Sequence, residues 1–301
     1  MDLEIKHLSK QYEKEQFFAN KDITCTFPAG QLTALIGHNG AGKTTLLNQI
    51  IGLVKPTSGQ VLFEDQSLTI NPDDARMKVA MMPQLHAPLK GVSIRQAVRA
   101  IGKIRGLLGS ELEEQVSHIL DALDIRKWEN KSGDHLSGGL KRLTSFAMAV
   151  IAPPPILLLD EPTNDVDPIR RKLLWSYLQG LTACGHIVVV VTHNILEVEQ
   201  YADGFYLLEQ GQIKAAGSVK KLSHQAKIKI SFLPQNLHVL MDFPLSFIHK
   251  EDGQIEVRVD NGEVPQVLTW MTKKIERGEI SHYSITTVTL NDQYEEMNDD
   301  Q

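Results

Sequence analysis

The stretch "QLTALIGHNGAGKTTLLNQIIG" constrains the fold of this chain more than any other segment. Its apolar residues Leu32–Ile36 predict a short buried strand, and Thr44–Ile51 predicts a helix with Gly52 as its C-cap. Between them, Gly37–Thr44 matches the spacing G-x-x-x-x-G-K-[ST]. In that pattern the glycines let backbone N–H groups turn inward around phosphate oxygens, and the helix N-terminus adds partial positive charge. A phosphate-binding turn in an α/β fold is therefore the first expectation.

Two further apolar runs follow, in "PPPILLLDEP" and "HIVVVVTHN". We expect strands over Ile156–Leu159 and Ile187–Val191, because continuous apolar runs are typical of parallel strands that are covered on both faces. Between them, Pro168–Ala183 is predicted as a helix, with Asp167 as N-cap and Pro168 in the first helical position. Strand, helix and strand in this order indicate a parallel crossover within a mostly parallel central sheet.

Four side chains in these segments suit phosphate chemistry. The Lys43 ammonium is placed to reach the β- and γ-phosphates of a nucleotide, and the Thr44 hydroxyl is placed to hold Mg²⁺. Asp160 stands at the carboxyl end of a predicted central strand, where open α/β sheets bind ligands, and suits the metal site. Glu161 follows directly and is placed to orient or deprotonate an attacking water molecule.

The sequence "LSGGLKR" places two adjacent glycines at the start of another helix. Apolar residues recur there at helical spacing until Pro153, namely Leu140, Leu143, Phe146, Ala147, Val150 and Ile151. Ser137, Gly138 and Gly139 therefore stand at a helix N-terminus, which favours an anion. Two phosphate sites in one nucleotide-binding fold imply either two ligands or one ligand shared between two chains.

The middle of the chain has a different pattern and is predicted as a helical insert at about 88–135. Ser110 and Glu113 have the spacing of a capping box at the start of a helix. The residues expected on one face of the preceding helix are Ile94, Val98, Ile101 and Leu108. The apolar stripe expected after the capping box consists of Leu112, Val116, Ile119, Leu120 and Leu123.

From about His224 the pattern changes to a small α+β appendage. "IKISFL", "LSFIHKEDGQIEVRVD" and "HYSITTVTL" indicate strands, "VPQVLTWMTKKIER" indicates a helix, and Asp252–Gly253 suits a hairpin turn. We therefore predict a nucleotide-binding domain over residues 1–222 and an accessory domain over residues 223–301. The acidic tail "NDQYEEMNDDQ" is expected to be solvated and disordered.

Composition excludes several classes of protein. The net charge of −6 gives no electrostatic basis for wrapping nucleic acid, whose phosphates need clustered Lys and Arg. The two cysteines, Cys25 and Cys184, make no disulfide framework and fit a reducing cytosol. No signal peptide is predicted at the N-terminus. Prolines interrupt the longest apolar stretch, at 146–159, whereas a spanning helix needs about 20 apolar residues.

These segments together resemble the ATP-binding cassette family, in its membrane-transporter branch, over about residues 1–220. "GHNGAGKTT" resembles its Walker A loop, "MMPQ" its Q-loop, "LSGG" its signature, "ILLLDEP" its Walker B strand, "NDVDP" its D-loop and "VTHN" its switch histidine. The resemblance implies a P-loop NTPase fold with an antiparallel N-terminal subdomain, and hydrolysis of ATP with Mg²⁺. It also implies a second cassette subunit, identical or different, arranged head to tail. The signature of one subunit would then close over the γ-phosphate bound to the other.

The resemblance also assigns roles that the residues do not indicate by themselves. Gln84 is implied as a contact of Mg²⁺ and water, and His193 as a contact of the γ-phosphate. Asp167 is implied as a contact across the dimer, and Tyr12 as the aromatic ring that stacks on adenine. The nucleotide-binding residues implied in the Walker A loop are Gly37, His38, Asn39, Gly40, Ala41, Gly42, Lys43, Thr44 and Thr45. The predicted catalytic residues are Glu161, His193 and Lys43, and the predicted metal ligands are Thr44, Gln84 and Asp160.

Two positions depart from the family pattern. Leu140 stands where many relatives have Gln, and Asp165 stands where Gly is common in the D-loop. The second change leaves the backbone conformation of the D-loop open. Neither change removes a group that handles phosphate, metal or water, so a hydrolysis-competent site is expected.

Because no membrane span is predicted, the resemblance implies a separately encoded integral-membrane permease and a location at the cytoplasmic face of the membrane. The cassette with its short appendage looks like the ATPase subunits of bacterial systems that export drugs, antibiotics or lipid-like compounds. Three alternatives stay open: an importer subunit with a regulatory C-terminal domain, a soluble mechanochemical ATPase, and a regulator that binds ATP without hydrolysis. The acidic net charge opposes the second, and the presence of Glu161 and His193 opposes the third.

Overall fold

The computed structural model describes residues 1–12, 17–85, 89–219, 228–250, 252–260 and 262–287. The chain divides into two units, residues 1–219 and residues 220–301. The predicted boundary between residues 222 and 223 lies outside the described residues, and so does the acidic tail. Within those ranges, no helix combines the length and the apolar character that a membrane crossing requires.

The first unit is built from short strands and helices. Its strands are β1 (Leu3–Gln11), β2 (Phe18–Phe27), β3 (Leu32–Ile36), β4 (Ser58–Phe63), β5 (Gln66–Ser67), β6 (Val79–Met82), β7 (Ile156–Asp160), β8 (Ile187–Val191), β9 (Gly204–Glu209) and β10 (Gln212–Ser218). Its helices are α1 (Lys43–Ile50), α2 (Pro72–Lys78), α3 (Ile94–Ile104), α4 (Gly109–Ala122), α5 (Gly138–Val150), α6 (Pro168–Ala183) and α7 (Ile195–Tyr201). Short 3-10 turns lie at Arg126–Trp128 and Gly133–His135.

The central sheet has the strand order β10-β9-β3-β8-β7-β6, and every pair from β9 to β6 is parallel. All residues of β3, β7 and β8 are buried, which explains their continuous apolar sequences. The mostly parallel α/β architecture is therefore confirmed. The register aligns Val191 with both Leu35 and Asp160, so the carboxyl ends of the three strands meet at one edge.

A second sheet, β2-β1-β4-β5, is antiparallel, as the resemblance implies. It shares one hydrophobic core with α1 and the central sheet. That core includes Leu3, Phe27, Leu46, Phe63 and Leu158. The turn between β3 and α1 therefore stands on a rigid base formed by two sheets.

Two predicted helices flank the central sheet: one is shifted by one residue from its prediction, and the other has its predicted ends. Helix α1 begins at Lys43 and ends at Ile50, and Gly52 follows the C-cap residue with a φ of 75°. Helix α6 has the predicted bounds, and the Asp167 carboxylate caps it by accepting the N–H groups of Ile169 and Arg170.

The helical insert differs from its prediction at the end of α3 and at the start of α4. Leu108 is 71% exposed because α3 ends at Ile104. Ser110 caps nothing, because α4 already begins at Gly109 and places Ser110 inside the first turn. The capping box lies instead at the start of α3, where Ser93 Oγ accepts the Gln96 N–H and the Gln96 side chain accepts the Ser93 N–H. The predicted stripe of α4 is buried as expected.

The second unit is an antiparallel sheet with one long helix. Its described elements are β11 (Ile228–Pro234), a 3-10 turn (Leu237–Leu240), β12 (Ile248–His249), β13 (Ile255–Val259), α8 (Val264–Glu276) and β14 (Ile280–Thr287), with strand order β12-β13-β11-β14. Asp252–Gly253 forms the predicted turn, with Gly253 at a φ of 83°. Phe232, Val267 and Met271 are buried in its core. Residues 288–290 of the last predicted strand lie outside the described residues.

Candidate functional site

The turn Gly37–Thr44 connects β3 to α1 at the carboxyl edge of the central sheet. Gly42 caps α1 with a φ of 100°, a left-handed conformation that favours glycine. A Cβ atom at this position would lie 2.1 Å from the Ala19 carbonyl oxygen, so strand β2 leaves no space for a side chain. In the first turn of α1, the N–H groups of Lys43, Thr44 and Thr45 have no acceptor within the helix and can bind an anion.

The Lys43 side chain folds back into this turn. It is buried, and its Nζ donates to the carbonyl oxygens of Gly37 at 2.5 Å and His38 at 2.9 Å. Burial lowers the pKa of Lys43, whereas the nearby charges of Glu161 and Asp160 act to raise it. Gly37 and His38 thus hold the ammonium through their backbone.

Thr44 and Asp160 bring two oxygen atoms together across the cleft. Thr44 Oγ1 donates to Asp160 Oδ2 at 3.1 Å. Burial raises the pKa of Asp160; the Thr44 hydrogen bond and the Lys43 charge lower it, and the Glu161 charge raises it. The described residues contain no cluster of three or more acidic, His or Cys side chains suited to a metal. A hydroxyl and a carboxylate nevertheless fit Mg²⁺, which keeps several waters and shares its remaining positions with substrate phosphates.

Glu161 and His193 form a direct pair at the ends of β7 and β8. His193 Nδ1 lies 2.8 Å from Glu161 Oε1, and the Glu161 N–H donates to the Val191 carbonyl oxygen at 2.9 Å. Glu161 is buried, and its Oε2 has no hydrogen-bond partner among the described residues. Its φ of 51° is a strained value for a residue other than glycine. The carboxylate is therefore held at one oxygen, and its other oxygen is a buried acceptor without a partner among the described residues.

A cleft of about 460 Å³ brings most of the predicted residues together. Its lining residues are Tyr12, Phe17, Ala19, Asn39, Gly40, Ala41, Gly42, Lys43, Thr44, Thr45, Gln84, Asp160 and Glu161. Tyr12 is 38% exposed, and Lys10 Nζ lies 5.0 Å from its ring centre. Phe17 and Ala19 are additions to the predicted set, since nothing in the spacing of "FFAN" points to this cleft.

Seven predicted residues do not line this cleft: Gly37 and His38, whose carbonyl groups hold Lys43, His193, which pairs with Glu161, and the four residues Ser137, Gly138, Gly139 and Asp167. Ser137 caps α5 by accepting the Leu140 N–H at 3.3 Å. Partial burial acts to raise the pKa of Asp167, but hydrogen bonds from the Arg170 backbone N–H and, at 2.8 Å, from the Arg170 guanidinium keep it below its ordinary value. We refer to Ser137, Gly138, Gly139 and Asp167, which lie outside the cleft, as the second surface.

The signature glycines contact the D-loop of their own chain. A Cβ atom on Gly139 would lie 2.5 Å from the Asp165 carbonyl oxygen, whereas one on Gly138 would lie 3.5 Å from Asp165 Oδ2. The close approach that requires glycine at position 139 is thus made within one chain. Asp165 has a φ of 61°, so it adopts the left-handed conformation that glycine favours at this place. Leu140 is half-buried and takes part in the cap through its backbone.

Arg142 joins the signature helix to the segment of Gln84. Its guanidinium is buried and donates to the Gln84 carbonyl oxygen at 2.8 Å and to that of Pro83 at 3.5 Å. Burial lowers the pKa of Arg142, against the raising effects of Asp165, Asp160 and Glu161. No sequence pattern identifies this contact, because its acceptors are backbone carbonyls.

The first unit therefore has the architecture of a P-loop nucleoside-triphosphatase. At the edge of its parallel sheet, free N–H groups and the Lys43 ammonium share a cleft with Thr44 and Asp160, whose oxygen atoms suit Mg²⁺. Residues 20–164 match the family described as ABC transporter. A solved ATP-binding subunit of an ABC transporter superposes with a TM-score of 0.68 at 28% identity, over 74% of this chain and 92% of that one. A dimeric cassette in a post-hydrolysis state with ADP and Pi has the same fold, with a TM-score of 0.65 at 24% identity, over 72% of this chain and 98% of that one.

Similar sequences include mouse ATP-binding cassette sub-family A member 9 and the mouse ABC-type organic anion transporter ABCA8A. Each is 34% identical over 220 residues, or 72% of this chain. The human cholesterol transporter ABCA5 is 29% identical over 252 residues, or 78% of this chain. The matched segment spans only 14% to 15% of these relatives. The chain thus carries the ATP-binding cassette of the ABC transporter family, an ATPase nucleotide-binding domain.

Proposed function

We propose that this cassette hydrolyses ATP and, through ATP-dependent dimerisation, powers a membrane transporter. The observation that carries the proposal is the Glu161–His193 pair at 2.8 Å in the same site as the Lys43 ammonium. A carboxylate with one oxygen held and the other without a partner suits the activation of water. The cleft beside it has N–H donors, cation and hydroxyl in positions that suit a phosphate chain.

In the proposed reaction, water attacks the γ-phosphorus in line with the bond to the β-phosphate oxygen. Glu161 Oε2 accepts the proton of the water, a new P–O bond forms, and ADP leaves with the electrons of the broken bond. His193 orients Glu161 by donating its Nδ1–H to the carboxylate, and its ring contacts the γ-phosphate. Lys43 and the N–H groups of α1 stabilise the charge on the phosphates. Mg²⁺ held by Thr44 and Asp160, with Gln84 nearby, would neutralise part of that charge when bound.

The second surface completes the site of another copy in this proposal. Ser137, Gly138 and Gly139 of one chain close over the γ-phosphate bound to the partner, and Asp167 contacts the partner across the dimer. Tyr12 stacks on the adenine. Because the γ-phosphate contacts exist only before hydrolysis, its loss opens the dimer. This differential contact converts hydrolysis into movement.

We also propose a separately encoded permease, which holds the cassette at the cytoplasmic face of the membrane, and export of lipid-like compounds, drugs or antibiotics. The support is the similarity to relatives named as cholesterol and organic anion transporters. An importer with a regulatory second unit is the alternative that transport assays would separate. In proteoliposomes with the cassette outside, an exporter accumulates its cargo in the lumen and an importer depletes it.

The test of the hydrolytic site uses Glu161→Gln, which keeps the shape of the side chain and removes the base. We expect ATP hydrolysis to fall by about 100-fold or more, the range of general-base catalysis. We expect the variant to form a stable dimer with MgATP, measured by light scattering, since its bound γ-phosphate is not removed. Lys43→Ala is the matched control, which should neither bind ATP nor dimerise.

Two results would contradict the proposal. One is hydrolysis by Glu161→Gln at the rate of the unchanged protein, because another group would then serve as the base. The other is a monomeric Glu161→Gln variant at saturating MgATP and high protein concentration, which would exclude the shared site.

A further inference from the structure

Two buried amide side chains lie next to the phosphate-binding turn. Asn20 on β2 has no exposed surface, and Gln49 on α1 is 1% exposed. Gln49 Nε2 donates to Asn20 Oδ1 at 2.7 Å, and Asn20 Nδ2 donates to the Gly42 carbonyl oxygen at 3.1 Å. Because a carbonyl oxygen can only accept, the Gly42 contact requires the Nδ2 end of Asn20 to face Gly42. Asn20 Oδ1 then faces Gln49 and requires the Nε2 end of that side chain as its donor.

The Gly42 carbonyl is therefore held by two donors, the Asn20 amide and the Leu46 N–H at 2.9 Å. In a trans peptide the C=O and N–H groups point in opposite directions. A Gly42 carbonyl held toward β2 and the axis of α1 directs the Lys43 N–H the other way, into the turn. Asn20 thus orients one of the N–H groups that face a bound phosphate.

Packing alone does not explain the Asn20–Gln49 amide pair. Gln49 Oε1 is buried and has no hydrogen-bond partner within the described part of the chain. An unpaired buried acceptor destabilises a fold, whereas two apolar side chains of similar volume would avoid that loss. What apolar residues could not supply is the N–H that Asn20 donates to Gly42.

We propose that Asn20 is a positioning residue for the phosphate site and that Gln49 holds Asn20 in place. This inference rests on the proposed binding of ATP phosphates by the turn Gly37–Thr44. Loss of the Asn20 donor weakens binding of the phosphate chain, and it leaves the adenine contact of Tyr12 and the hydrolytic group Glu161 in place. The Michaelis constant for ATP therefore changes more than the turnover number.

The experiment uses the full chain and two probes, MgATP and inorganic tripolyphosphate, which has no base. For Asn20→Leu, we expect both the KM for ATP and the inhibition constant of tripolyphosphate to rise about three- to tenfold, the range of one hydrogen bond. The kcat should stay within roughly twofold, since no group at the hydrolysed bond is altered. Gln49→Met should give a smaller effect that disappears in the Asn20→Leu background, as expected for coupled residues.

Two control variants separate positioning from stability. Thr182→Val removes another buried polar group, whose hydroxyl donates to the Gln179 carbonyl within α6. It should leave the KM for ATP and the inhibition constant of tripolyphosphate unchanged. Tyr12→Ala should weaken ATP and leave tripolyphosphate unaffected, because it acts on the base. Melting temperatures of all variants show which of them are folded.

The double variant Asn20→Leu/Gln49→Leu decides the case if Asn20→Leu does not fold. If this apolar pair is folded and tripolyphosphate inhibits it as strongly as the unchanged protein, the inference is wrong. A fall in kcat at constant KM in a folded Asn20 variant also overturns it. Failure of the unchanged protein to bind either probe, or equal binding by Lys43→Ala, would instead count against the proposed function.

Discussion

Gly139→Ala is expected to destabilise the first unit, whereas Gly138→Ala is not. The added Cβ at position 139 would lie 2.5 Å from the Asp165 carbonyl oxygen, well short of the 3.4 Å at which ordinary contact begins. The obstacle is backbone in a turn with a φ of 61°, so it cannot move aside as a flexible side chain would. At position 138 the nearest atom is the Asp165 carboxylate oxygen at 3.5 Å.

The magnitude follows from this difference. Overpacking of a rigid site costs about 1–3 kcal/mol, and both variants gain up to about 1 kcal/mol from the preference of helices for Ala over Gly. The gain cancels in the comparison, so Gly139→Ala should be about 1–3 kcal/mol less stable than Gly138→Ala. For a unit of this size, that corresponds to a melting temperature lower by about 2–12 °C.

Thermal unfolding of the nucleotide-free proteins, followed by circular dichroism, measures this difference. Equal melting temperatures for the two variants would refute the conclusion that the D-loop requires glycine at position 139. A second measurement uses the Glu161→Gln background with MgATP. There Gly138→Ala should weaken the dimer although it is folded, because the proposed shared site brings the partner's γ-phosphate to this position.

Two further predictions concern Asp160 and Ser93. Burial raises the pKa of Asp160, so the stability of the nucleotide-free protein falls as the pH rises through that raised value. Asp160→Asn should therefore raise the melting temperature by an amount that grows as the pH rises above 3.8, and should leave it unchanged below pH 3.8. Mg²⁺-dependent hydrolysis by the same variant should fall by more than about 100-fold. A variant that is less stable than the unchanged protein at neutral pH would contradict the stability prediction. Ser93→Ala should cost about 1 kcal/mol by removing the cap of α3, and Ser110→Ala, its control, should cost close to nothing in urea unfolding. Equal costs would show that the capping assignment is wrong.

Local sequence patterns were sufficient wherever the chemistry lies in consecutive residues. The donors around a phosphate at Gly37–Thr44 are successive N–H groups of one turn, so their spacing appears directly in the sequence. Asp160 and Glu161 follow a run of buried residues, and the end of that run marks the edge of the sheet. Spacing alone does not distinguish the two candidate helix caps. "SIRQ" and "SELE" both have the capping-box spacing, and only the path of the backbone at Gly109 decides that Ser93 is a cap and Ser110 is not.

Tertiary structure alone decided which distant segments support these residues. Asn20 and Arg142 donate to the carbonyl oxygens of Gly42 and Gln84, and Gly139 packs against that of Asp165. Every residue has a carbonyl oxygen, so such an acceptor leaves no mark in the sequence. Its partner becomes visible only when folding brings the two segments within hydrogen-bond distance.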